Sequence, residues 1–215
     1  MSNSTARPER SRESNNRLSE MIAVLLLGIA TIGTAWCGYQ ASRWNQDQGN
    51  ISREGSDLRV EANRQFGLAT QAVVYDSNLV AQYAKAVVDG DTGLQEFYRA
   101  TLFRPAFLPV LDRWEQTIQE GNTPTRLLED VEYLDSQLGD YEATQAKSEA
   151  KDVEAKRAGK NGDDYVLLTL LLAAALFFAG VTTSFKLQAA RLVLLMLSAL
   201  LIAYCISRIA TLPVS

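Results

Sequence analysis

Histidine is absent from all 215 residues. That removes the side chain most often used as a general base near neutral pH, and the commonest zinc ligand. Cysteine is nearly as scarce. Cys37 and Cys205 are the two present, and both fall inside apolar runs. The polar middle of the chain therefore has no disulfide and no thiol nucleophile. No proline lies between Met21 and Asp89, so nothing there blocks a continuous helix. Basic residues are outnumbered where nucleic-acid binding would need them. From Arg43 to Asp164 there are 14 basic and 22 acidic side chains, a net charge of −8. Such a surface repels a phosphate backbone, and nucleic acid is not an expected partner.

Charge is missing altogether from Met21–Ser42 and Tyr165–Phe185. A helix of ~20 apolar residues crosses a hydrocarbon core of ~30 Å. The first run exceeds the apolar region of a signal peptide and ends in aromatic residues, so it is expected to be an uncleaved anchor. A third run, Leu192–Ser207, becomes long enough when extended to about 190–210, with Arg208 reaching the interface. The expected organisation is a flexible polar tail over 1–20 and transmembrane helices at 21–42, 165–185 and 190–210. A helical aqueous domain over 43–164 lies between the first two. The lipid bilayer is thus one partner. Trp36, Tyr39, Trp44, Tyr165 and Tyr204 are read as membrane-interface residues.

Arg7, Arg10, Arg12 and Arg17 precede the first span, and Lys186 and Arg191 lie in the turn between the second and third. These six suggest a cytoplasmic face. The basic residues near the ends of the long insertion count for less, because long domains translocate largely regardless of charge. The amino terminus is expected in the cytoplasm and the aqueous domain in the periplasm.

The insertion has helical periodicity. Leu58, Ala62, Phe66, Ala69, Val73, Val80, Tyr83 and Val87 share one helix face, which should stop at Asp89-Gly90-Asp91. Leu94–Phe103 predicts a short helix. Pro105 suits the first turn of another, with Phe103, Phe107, Leu111, Trp114 and Ile118 on one face. A last helix is expected from about Thr125, with Leu127, Val131, Leu134, Leu138 and Tyr141 inward in a coiled-coil-like pattern. Residues 40–57 and 142–157 are polar. The fold class is all-α: three transmembrane helices, with an antiparallel stalk and a short-helix head inserted between spans 1 and 2. Gly159-Lys160-Asn161-Gly162 is expected to be a hinge.

No catalytic residue and no cofactor are expected. Asp163 and Asp164 are weak metal candidates, better read as capping carboxylates where the second span begins. Asp89-Gly90-Asp91 starts like a calcium loop, but Ala100 stands where the twelfth-position Glu should be. Glu61, Asp76, Glu96, Asp112 and Glu115 are expected on a solvated face. Thr34-x-x-x-Gly38 and Ala175-x-x-x-Ala179 permit close helix packing. Thr31, Thr34 and Thr169 would be the polar lining of any pore made from several copies. The spans contain no carboxylate or cation of the kind transporters place near the midplane.

The stretch Thr34-Ala35-Trp36-Cys37-Gly38-Tyr39-Gln40-Ala41 with Trp44, the stretch Arg104-Pro105-Ala106-Phe107 with Trp114, and Asp163-Asp164-Tyr165-Val166 form a recognisable set. The chain resembles, over about Met21–Arg208, a group of small bacterial inner-membrane proteins with three transmembrane helices. The resemblance implies a bacterial membrane location and brings no activity or substrate. The expected role is a non-enzymatic interaction or scaffold protein of the cell envelope, homo-oligomeric or bound to another membrane or envelope protein. A small oligomeric channel or transporter accessory subunit is the first alternative. An envelope sensor acting through a partner is the second.

Overall fold

The computed structural model describes the backbone of residues 7–124, 126–185 and 187–215, and the side chains of these except 7–16, 18 and 183. Among the described residues there are helices and no strand. Helix α1 is Arg7–Val88, α2 Thr92–Phe97, α3 Leu108–Gln119, α4 Val131–Val181 and α5 Gln188–Ile209. Three of them, α1, α4 and α5, are long and apolar enough to cross a membrane.

Helix α1 runs without interruption through Gly49 and Gly55. It already includes residues 7–20, expected as a flexible tail; residues 1–6 lie outside the described part. Gly90 ends it in the left-handed conformation, φ +71°, which a side chain would strain. Asp91 then caps α2 by accepting the Leu94 N–H at 3.0 Å. The first aspartate of the turn, Asp89, pairs with Lys85 at 2.5 Å. A π-helical turn, Tyr98–Leu102, completes the short helix predicted over Leu94–Phe103. Pro105 opens the 3-10 turn that leads into α3.

Two expectations about α4 are corrected. It starts at Val131, not near Thr125, which itself lies outside the described residues. The preceding Leu127–Glu129 forms a 3-10 turn, and Asp130 caps the helix by accepting the Tyr133 N–H at 3.0 Å. That start turns Tyr133 inward at 1% exposure and leaves Val131 exposed. Nor is there a hinge at 159–162. Helix α4 is continuous there, and Gly159 and Gly162 instead admit α1 side chains. A Cβ on Gly162 would lie 2.6 Å from Asn45 Oδ1, and one on Gly159 2.8 Å from Gln48 Nε2.

The chain divides into two compact units, residues 1–52 with 152–215, and residues 53–151. In the first, Ala30, Cys37, Ala41, Tyr165, Leu168, Leu172 and Cys205 belong to one buried cluster. Gly33 approaches Leu172 within 3.1 Å of its absent Cβ, and Ala175 and Ala179 are fully buried. Gly38 meets nothing. The contact face of α1 is thus one step round from Thr34-x-x-x-Gly38. In the second unit, Val73, Leu79, Tyr83, Phe103, Phe107, Leu111 and Tyr133 form the core. Phe107 stacks on Phe103 and meets Tyr133 edge-on, each at 5.5 Å between ring centres. Ser148 adds a hydrogen bond to the Gly55 carbonyl at 2.9 Å.

Candidate functional site

Two polar clusters organise the chain, one in each unit. In the unit of residues 53–151, Asp76 is wholly buried, not on the solvated face expected of it. The reason is a full set of donors. Arg104 gives Nε to Asp76 Oδ1 at 3.1 Å and Nη2 to Oδ2, and the Tyr133 hydroxyl gives to Oδ2 at 2.7 Å. Arg104 Nη2 also reaches Gln137 at 3.2 Å. A buried carboxylate needs such compensation. Nearby in the same unit, Arg99 holds Asp112 at 2.5 Å and Glu115 at 2.8 Å, and Glu115 accepts the Tyr83 hydroxyl. Arg99, Glu96, Gln95 and Glu115 line a recess of 430 Å³. Asp112 and Glu115 are thereby brought together, but on one guanidinium. Glu61 stays at the surface with Arg64 at 2.6 Å.

These contacts shift the proton equilibria. Burial first, then the Glu115 bond, push the Tyr83 hydroxyl up to about 12. Burial and the Asp76 bond raise Tyr133 further in the same direction. Hydrogen bonding to Asp112 raises Arg99, and bonding to Asp76 raises Arg104. A tyrosine in the unfolded chain ionises near pH ~10. Between there and about 12 the folded chain keeps the Tyr83 proton and the unfolded chain does not, so stability is whole below that window and falls as pH rises through it. Absorbance titration is expected to show Tyr83 and Tyr133 of the eight tyrosines among those ionising late, in step with unfolding. Ionisation of all eight in one early step would contradict this bonding.

The second cluster lies in the unit of the apolar helices. Following α5, Thr211 and Leu212 donate their N–H groups to the Arg208 carbonyl at 3.0 and 3.1 Å. The Pro213 carbonyl then accepts the Trp44 indole N–H and the Tyr165 hydroxyl, each at 3.2 Å. Ser215 donates its N–H to Gln40 Oε1 at 3.0 Å and its hydroxyl to Asp47 at 2.7 Å. Gln40 is 1% exposed. Residues 211–215 are thus clasped by α1 and α4. Spacing along α1 explains the motif from Thr34 to Trp44: Cys37 and Ala41 enter the core, while Gln40, Trp44 and Asp47 reach the strap.

The interface residues separate accordingly. Trp36, Tyr39 and Tyr204 are exposed, Trp44 is half-buried, and Tyr165 is fully buried between helices. Asp163 and Asp164 cap nothing, because α4 is already continuous from Val131; Asp163 is exposed and Asp164 half-buried. Among the described residues no three His, Cys, Asp or Glu side chains gather as a metal site. Cys37 and Cys205 are free thiols buried in the same cluster. The hydroxyls of Thr31, Thr34 and Thr169 bond to carbonyls of their own helices at 2.7, 2.7 and 3.0 Å. Nothing in the local sequence marks the strap or the inward role of Asp76. Neither bond set has a local spacing: Ser215 and Gln40 are 175 positions apart, and Asp76 and Tyr133 are 57 apart.

Fold and clusters define the class: an all-α chain with three helices suited to a membrane and a helical unit inserted between the first two. No protein-family model, no curated protein and no solved structure matches the chain.

Proposed function

We propose that this chain is a non-enzymatic interaction or scaffold protein of the bacterial cell envelope. It sits in the inner membrane through three spans, with its amino-terminal end cytoplasmic and residues 53–151 periplasmic. The resemblance to small bacterial inner-membrane proteins agrees with that placement. One observation carries the reading. In residues 53–88, α1 is apolar on two faces. Ala62, Ala69, Val73, Leu79, Tyr83 and Ala86 face the core, while Val60, Leu68, Val74 and Val88 are 69%, 53%, 55% and 85% exposed on other sides. Val60, Gly67, Val74, Ala81 and Val88 recur every seventh residue. The same side of the helix also carries Arg64, Gln71 and Lys85, and a repeated line of exposed apolar side chains on an aqueous unit is an interaction surface.

Val74→Lys tests it. An exposed substitution alters folding stability by no more than about 0.5 kcal/mol. Loss of one buried valine contact weakens binding by about 1.5–3 kcal/mol, roughly tenfold or more. Purification from native membranes is therefore expected to retain a recurrent partner, or a second copy, with the original chain and to lose it with the variant. Equal recovery from both would count against this surface.

A further inference from the structure

Helix α5 is tied to the rest of its unit in a particular way. Its buried side chains are Leu195, Ser198, Ile202 and Cys205. Apolar contacts between helices in lipid have no hydrophobic driving force behind them, since lipid tails are equally apolar; packing and interhelical hydrogen bonds hold such helices together. Polar ties therefore matter more than their number suggests. Ser198 bonds to the Ala175 carbonyl at 2.9 Å, and Arg191 meets Glu20 at 3.6 Å near the start of α5. At the other end stand the four bonds of residues 213–215. Their partners are Gln40, Trp44 and Asp47 on α1 and Tyr165 on α4, so they join α5 to both of the other helices. Pro213 suits this role: its ring fixes φ, it has no N–H to satisfy, and its carbonyl takes two donors.

We infer that residues 211–215 are a latch, and that its release is the conformational step by which α5 parts from α1 and α4. The closed state satisfies the buried Gln40 amide oxygen with the Ser215 N–H. The open state needs water at Gln40, and half-buried Asp47, bonded to the strap, marks the polar side from which it arrives. Opening therefore starts at the strap and travels along α5, and the two native thiols lie on that path. Cys37 on α1 and Cys205 on α5 are both at 0% exposure in one cluster, so a reagent reaches them when the helices part.

The experiment is N-ethylmaleimide labelling of the full chain in native membranes, with each cysteine followed by mass spectrometry. Trp44→Phe with Tyr165→Phe removes two hydrogen bonds; the Tyr165 ring is kept, and the Trp44 indole is replaced by a smaller phenyl ring. Both cysteines are then expected to label roughly ten- to thirtyfold faster, as two lost bonds of about 1 kcal/mol each imply. In a second variant, an Asp47→Cys, Ser215→Cys disulfide closes the latch covalently, and both native cysteines are expected to label more slowly than in the original chain. Unchanged labelling in a double phenylalanine variant that keeps its helix content would overturn the latch. So would native cysteines that react in the locked chain as fast as in the original. If the phenylalanine variant loses helix content, the locked chain alone decides.

Discussion

Asp76→Ala is expected to destabilise the unit of residues 53–151 by about 3 kcal/mol. The carboxylate is completely buried and takes Arg104 on both oxygens and Tyr133 on one. Breaking a buried pair typically costs about 3–5 kcal/mol because the partner stays behind uncompensated. Arg104 is one-third exposed and turns partly to water, which puts the cost at the low end. Tyr133, at 1% exposure, has no such route, and its hydroxyl is left without its acceptor. Tyr133→Phe removes only the donor and leaves the Arg104 pair intact, so it is expected to cost about 1 kcal/mol. Hydrogen exchange resolves the effect by region. Amides near Val73–Tyr83, Phe107–Leu111 and Tyr133–Gln137 should lose protection, while those of the spans keep theirs. A change below about 0.5 kcal/mol would mean that the network contributes little beyond what water supplies.

Gly162→Leu is expected to cost about 2–3 kcal/mol through overpacking where α4 meets α1. A Cβ there lies 2.6 Å from Asn45 Oδ1, 3.4 Å from Asn45 Cγ and 3.5 Å from Trp44 Cβ. The Asn45 amide can swing aside for a methyl group, but a leucine also meets Trp44, whose indole holds Pro213. The cost therefore includes loss of the strap. Gly159→Ala meets only the end of Gln48 and is expected to stay within about 1 kcal/mol. Combining Gly162→Leu with Asn45→Ala reopens space and should restore part of the loss, a non-additivity that a double-mutant cycle measures. Thermal unfolding of the full chain in detergent gives all four values. A leucine tolerated as well as the alanine would show that the helices are not held at this distance.

What was legible beforehand follows from where the information lies. Apolar runs from Met21, Tyr165 and Leu192 are local and uncharged, and they mark three helices long enough for a membrane. The Asp89-Gly90-Asp91 turn and the Pro105 helix start were equally local, since left-handed backbone and a missing N–H are properties of single residues. Helix continuity at 159–162 was not. Two glycines in a polar stretch read as a hinge by propensity, yet each is placed where a neighbouring α1 side chain fills the space a Cβ would take. That continuity also removed the helix start that Asp163 and Asp164 were expected to cap. Burial of Asp76 escaped notice because its donors come from residues 104 and 133. The strap escaped because its partners on α1 precede it by about 170 positions. Long-range polar bonds set both clusters, and neither periodicity nor composition reports them.

The central claim, an aqueous unit that works by binding through the outer face of α1, is tested most directly by in-cell photocrosslinking from position 74, with position 140 as the exposed polar control on α4. The expected result is one recurrent adduct from position 74, either a second copy or a single envelope protein, absent from position 140 and lost when Val60 and Val88 are changed to lysine. Equal, diffuse labelling from both positions, unaffected by those lysines, would contradict it.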